Sequence, residues 1–116
     1  MIHPRELEIL NILWGSDKAL TSMDIVNAGN GLSQSTVQAI LRKLLKNDMV
    51  TVDGITHSNT VVSRTYRPTE RSKVVVLHQF VEQYKGISNI VSKDEVIKAL
   101  GEASLEKMKG EEYESL

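Results

Sequence analysis

The 116-residue sequence predicts a mainly α fold with one small β-hairpin, in the order three helices, hairpin, two helices. Three observations carry that expectation. Apolar residues recur at helical spacing from Leu7 to Leu45. The pattern then changes to alternation rich in β-branched residues, at Val50-Thr51-Val52 and again from Val62 to Arg67. Helical spacing returns after Pro68 and continues into the C-terminal part.

Each element has a local cause. Pro4 suits the first turn of a helix, where its missing N–H leaves no bond unmade. Leu7, Leu10, Leu13 and Trp14, widened by Ile9 and Ile12, make this first helix apolar over most of its circumference, so it belongs in the core. Gly15-Ser16-Asp17 ends it. A short second helix opens at Leu20-Thr21, where Thr21 and Asp24 have capping-box spacing, and Ile25 and Val26 form its apolar side. Gly29-Asn30-Gly31 breaks the chain. Ser33 caps a third helix, in which Val37, Ile40, Leu41, Leu44 and Leu45 form a core stripe. Its other face carries Gln34, Ser35, Gln38, Arg42, Lys43 and Lys46 and no acid.

The hairpin is expected as two short strands joined by a long polar loop from Gly54 to Val61, with His57 near its tip and Pro68 ending the second strand. Trp14 and Tyr66 are expected in the core. A fourth helix spans about Glu70 to Lys85. A fifth opens at Ser92, whose spacing to Glu95 again matches a capping box, and carries Val96, Ile97, Leu100, Leu105 and Met108. Gly101 favours a kink or fray there, and residues 110–116 are expected to be mobile.

Charge sharpens the reading. Lys plus Arg is 14 and Asp plus Glu is 15, a net −1 that argues against a polyanion partner. By segment the picture reverses: residues 33–73 hold seven basic and three acidic residues, net +4. Residues 1–32 hold two basic and four acidic (−2), and residues 74–116 five basic and eight acidic (−3). The positive charge sits on the third helix and the hairpin after it. Helix–helix–helix–hairpin is the order of a winged helix-turn-helix, in which the third helix enters the major groove and the hairpin lies along the backbone. Ser35, Thr36, Gln38 and Arg42 are therefore the candidate groove contacts, because Arg and Gln match guanine and adenine edges. Lys43, Lys46, Arg64 and Arg67 are the candidate phosphate contacts. The domains divide as residues 1–69 for the winged helix and 70–116 for a helical dimerisation region. There Leu77, Phe80, Val81, Tyr84, Val96, Ile97 and Leu100 are more apolar surface than a thin helical arm buries alone.

Several chemistries lack residues. With no cysteine there is no disulfide, thiolate zinc site or Cys nucleophile, which fits a cytoplasmic protein. His78 and Glu82 have ligand spacing but no further ligand nearby, so neither a metal nor a cofactor is expected. No phosphate-binding glycine loop, nucleophile elbow or carboxylate pair suggests an enzyme. The longest apolar run, Val74 to Leu77, is far below the ~20 residues of a membrane span, and Met1-Ile2-His3-Pro4-Arg5-Glu6 does not read as a signal peptide.

Residues 5–68 resemble the penicillinase-repressor (BlaI/MecI/CopY) family of winged-helix transcriptional regulators. The resemblance rests on Glu6 to Trp14, Leu20 to Ile25, Ser33 to Leu44 and Ser63-Arg64-Thr65-Tyr66-Arg67-Pro68, in that order and spacing. It implies a repressor that acts as a homodimer, joined by its C-terminal helices, on a pseudo-palindromic double-stranded operator. Two family features are missing. Without cysteine there is no copper-sensing motif, and the single Phe, Phe80, follows Gln79 rather than the Asn of the Asn-Phe bond cut by a sensor protease. Two other readings remain open at this point: a winged-helix regulator gated by a small molecule, and a protein-interaction module that does not bind DNA.

Overall fold

The computed structural model describes residues 1–58 and 61–115, with side chains described to residue 104 apart from Ser58. Within them the elements follow the expected order: α1 (Pro4–Trp14), α2 (Ser22–Ala28), α3 (Gln34–Lys46), β1 (Val50–Ser58), β2 (Val61–Pro68), α4 (Glu70–Lys85) and α5 (Lys93–Ser115). Two compact units form, Met1–Gln79 and Phe80–Leu116, with the division inside α4.

The caps explain the helix starts. The Thr21 hydroxyl accepts from Asp24 N–H while the Asp24 carboxylate accepts from Thr21 N–H, closing the α2 box. Ser33 caps α3 by accepting from Thr36 N–H. At α1 the cap is His3, whose Nδ1 accepts from Arg5 N–H at 3.2 Å. Gly31 takes a φ of +79°, which lets the chain turn from α2 into α3. Past Lys46, Asp48 adopts φ 58°, the left-handed conformation that ends a helix and that Asp tolerates better than bulkier residues.

The core of the first unit is one cluster: Ile2, Ile9, Leu10, Leu13, Leu20, Ile25, Leu32, Val37, Leu41, Leu44, Met49 and Val50. Tyr66 packs against it, and Trp14 is half-buried. The first turns of α4 belong to the same unit. The Trp14 indole donates to Ser72 Oγ at 2.9 Å, and Ser72 is fully buried. Ile2 N–H donates to Gln79 Oε1 at 2.6 Å, and the Gln79 amide donates back to the Ile2 carbonyl. In the second unit, the Tyr84 hydroxyl donates to the Val91 carbonyl, and Ser92 with Glu95 forms the α5 box.

Two sequence expectations are corrected. The wing is not two short strands with a long loop. β1 and β2 pair antiparallel from Val50↔Pro68 out to Ser58↔Val61, with a bulge at Asp53, so only residues 59 and 60, outside the described residues, join them. Ile55, Thr56 and Val61 supply strand-favouring side chains where the polar composition suggested a loop. The second correction concerns Gly101, which α5 (Lys93–Ser115) passes through without a break. Leu105 and Met108 lie where side chains are not described. The hairpin is also anchored by a bridge: Leu20 and Tyr66 exchange backbone hydrogen bonds of 3.0 and 2.8 Å, which fixes its base beside α2.

Candidate nucleic-acid interface

Burial of Val37, Leu41 and Leu44 fixes the rotation of α3. The row opposite that seam consists of Ser35, Ala39, Arg42 and Lys46, all exposed and spaced by three or four residues. Gln38 flanks this row on one side. Thr36 and Lys43 flank it on the other. Ser35, Gln38, Arg42 and Lys46 thus share a continuous solvent-facing surface. Ala39 sits in its middle, a residue that a search for polar groups passes over. The signal was its spacing of four from Ser35, and its methyl suits a thymine methyl.

Thr36 is partly committed already. Its Oγ1 accepts from the Ser33 hydroxyl at 2.8 Å, and the Ser35 hydroxyl lies 3.3 Å from Ser33 Oγ. The hydroxyls at the start of α3 therefore form one network around the cap. Each retains hydrogen-bonding capacity toward a ligand.

The four expected phosphate contacts divide in two. Lys43 Nζ lies 2.7 Å from Glu6 Oε1 on α1, and Arg67 Nε lies 3.2 Å from Asp53 Oδ1 at the β1 bulge. Lys46 and Arg64 form no ion pair among the described residues. The two wing arginines are also separated by the pleat. Three positions apart on β2, they point to opposite faces, Arg64 beside Ile55 and Arg67 beside Thr51. Two cations absent from the expected set take structural positions. Arg71 Nε donates to the Asn47 carbonyl at the end of α3, and Lys73 Nζ stands 4.4 Å from the Trp14 ring centroid.

Elsewhere, Leu77, Phe80, Val81, Ile97 and Leu100 are 40–67% exposed in the single chain, while Tyr84 and Val96 are half-buried. Glu82 is held by Lys85 at 3.0 Å. Among the described residues no three metal-ligating side chains gather, and no helix is long and apolar enough to cross a membrane.

Comparison with known proteins gives a consistent fold. The MepR A103V mutant from a multidrug-resistant S. aureus clinical isolate superposes with a TM-score of 0.60 at 20% identity, over 95% of this chain and 78% of that one. A MarR family protein from Bacillus stearothermophilus gives 0.56 at 20% identity, over 97% and 76%. Bacillus subtilis PadR, solved in complex with operator DNA, gives 0.56 at 18% identity, over 98% and 79%. At these identities the likeness is one of fold, the winged helix. No curated protein matches the chain by sequence. A family model described as penicillinase repressor matches residues 2–116.

Proposed function

The chain belongs to the penicillinase repressor family, and from that premise we propose that it is a DNA-binding transcriptional repressor acting as a homodimer on a pseudo-palindromic operator. The observation that carries this reading is the outward row of α3, Ser35, Ala39, Arg42 and Lys46, exposed opposite a buried apolar seam on a helix with no acid. A helix of about this diameter fits the major groove. Its N-terminus offers free N–H groups and the positive end of the helix dipole to a phosphate.

In this role Arg42 and Gln38 read base edges, and Ser35 and Thr36 contact bases or phosphates at the helix start. Lys46 from α3 and Arg64 from the wing neutralise phosphates. Lys43 and Arg67 each already meet a carboxylate, which competes with a phosphate for part of the side chain's donor capacity. DNA binding by a structural neighbour, PadR with its operator, agrees with this reading. The apolar residues exposed on α4 and α5 support self-association, because one chain alone leaves them in water. The winged helix then comprises residues 1–69 and the dimerisation region 70–116.

The test is selection of bound duplexes from a random library, followed by anisotropy titrations at several salt concentrations. The expected result is a selected dyad, bound with affinity that falls steeply with salt. Absence of salt-dependent binding to any duplex overturns the reading. Sedimentation at micromolar concentration is expected to show a dimer, and Ile97→Asp a monomer. A monomeric unmodified chain overturns the dimer.

A further inference from the structure

Glu6 is the one buried ionisable side chain among the described residues, with its side chain 9% exposed. A buried carboxylate stays charged only with a partner, since burial otherwise strips its hydration without compensation. Its two oxygens have separate partners. Oε2 accepts from His3 N–H at 3.3 Å, closing the first turn of α1. Oε1 lies 2.7 Å from Lys43 Nζ. Two residues on, about half a turn, a second acid of α1 comes to bear: Glu8 Oε1 accepts from Asn30 N–H at 3.2 Å, in the turn that leads into α3. The carboxylates of α1 thus hold α3 near both ends, at the turn before Ser33 and in the last turns at Lys43. Between these points lies the outward row from Ser35 to Lys46.

We propose that Glu6 and Lys43 are a positioning pair, which sets the angle at which α3 presents Ser35, Ala39, Arg42 and Lys46 to DNA, and that Lys43 itself neutralises no phosphate. The proposal rests on the DNA-binding reading above. Its physical basis is a competition. A phosphate that draws Lys43 away from Glu6 leaves a buried carboxylate without its cation, whereas Lys46 meets a phosphate with no intramolecular bond to break.

The experiment compares the full chain with Glu6→Gln, Lys43→Met, Lys43→Arg and Lys46→Ala on a selected duplex and on an unrelated duplex of equal length. Anisotropy is read from 50 to 200 mM salt, and circular dichroism checks that each variant is folded. Glu6→Gln and Lys43→Met are expected to lower the ratio of selected to unrelated affinity by about tenfold, with the salt slope unchanged. Lys43→Arg, which keeps the charge, restores the ratio. Lys46→Ala is expected to reduce the slope by about 0.9. A slope loss of about 0.9 in Lys43→Met overturns the proposal, as does tighter binding of both duplexes by Glu6→Gln, the result expected if Lys43 were freed for phosphate. An arm without DNA separates this from failure of the DNA reading. Amide exchange through residues 40–47 is expected to rise in Glu6→Gln and Lys43→Met, and unchanged exchange overturns the pair. A wild-type chain that binds neither duplex overturns DNA binding and the DNA-presenting role together, whatever the exchange shows.

Discussion

Replacing Ser72 by Ala tests how the start of α4 is fastened to the three-helix core. Ser72 is fully buried, and its hydroxyl accepts from Trp14 Nε1 at 2.9 Å and donates to the Thr69 carbonyl at 2.6 Å. Alanine removes both bonds. The Thr69 carbonyl remains satisfied, because it also accepts from Ser72 N–H at 3.0 Å. The indole N–H does not, and its half-buried ring limits access to water. A donor left without its buried partner costs about 1–3 kcal/mol. Ala gains about 0.5 kcal/mol over Ser in helix propensity. The expected net loss is therefore about 1.5 kcal/mol in urea denaturation. Trp14 is the only tryptophan, so its emission reports this contact without interference. The companion Trp14→Phe and the double variant, followed by far-UV circular dichroism, close a cycle with an expected coupling of about 1 kcal/mol. A coupling below about 0.3 kcal/mol, or an unchanged midpoint for Ser72→Ala, refutes the reasoning.

The other predictions address the core, the interface and the caps. Leu44→Ala, at a position 2% exposed, is expected to cost about 2–5 kcal/mol in thermal or urea unfolding. Arg42→Ala is expected to weaken binding to a selected duplex by about 1–3 kcal/mol and to relax base preference at one position, measured by binding to single-base variants of that duplex. Asp48→Ile forces a β-branched residue to φ 58° and is expected to lose about 1–2 kcal/mol, while Asp48→Gly stays close to the parent on denaturation. Hydrogen bonds from Ser92 hold the Glu95 carboxyl below its ordinary value of 4.5. A group depressed in the folded state adds stability above its unfolded value and loses it as pH falls through the folded one. The α5 cap is thus expected to weaken as the solution is acidified below about 4.5, and an NMR titration of Glu95 in Ser92→Ala should move its midpoint up toward 4.5.

Local chemistry was legible in the sequence and cross-chain pairing was not. Thr21 with Asp24, Ser33, and Ser92 with Glu95 are caps whose partners lie within three residues, so spacing alone identifies them. The rotation of α3 follows from its apolar stripe, because burial of Val37, Leu41 and Leu44 leaves one way for Ser35 and Arg42 to face. The His3 cap escaped notice because imidazole is an uncommon acceptor at that position. The wing escaped because composition favoured a loop, while strand length depends on a partner strand whose register a bulge at Asp53 shifts.

By itself the sequence determined the element order, the starts of the helices, the basic segment between acidic ends and the face of α3 that meets solvent. Each of these depends on residues within a few positions of one another, where backbone geometry sets the spacing. Only the tertiary structure decided which cations are unpaired. Lys43 and Lys46 are one turn apart and alike in chemistry, yet Glu6, 37 positions away in the chain, lies against one and not the other. Arg64 and Arg67 were alike in the sequence too, until the pleat turned them to opposite faces and set Asp53 beside one of them. Charge and composition are properties of the residues. Whether a charge is available to a ligand depends on what folding brings within about 4 Å of it, where an intramolecular carboxylate competes with a phosphate.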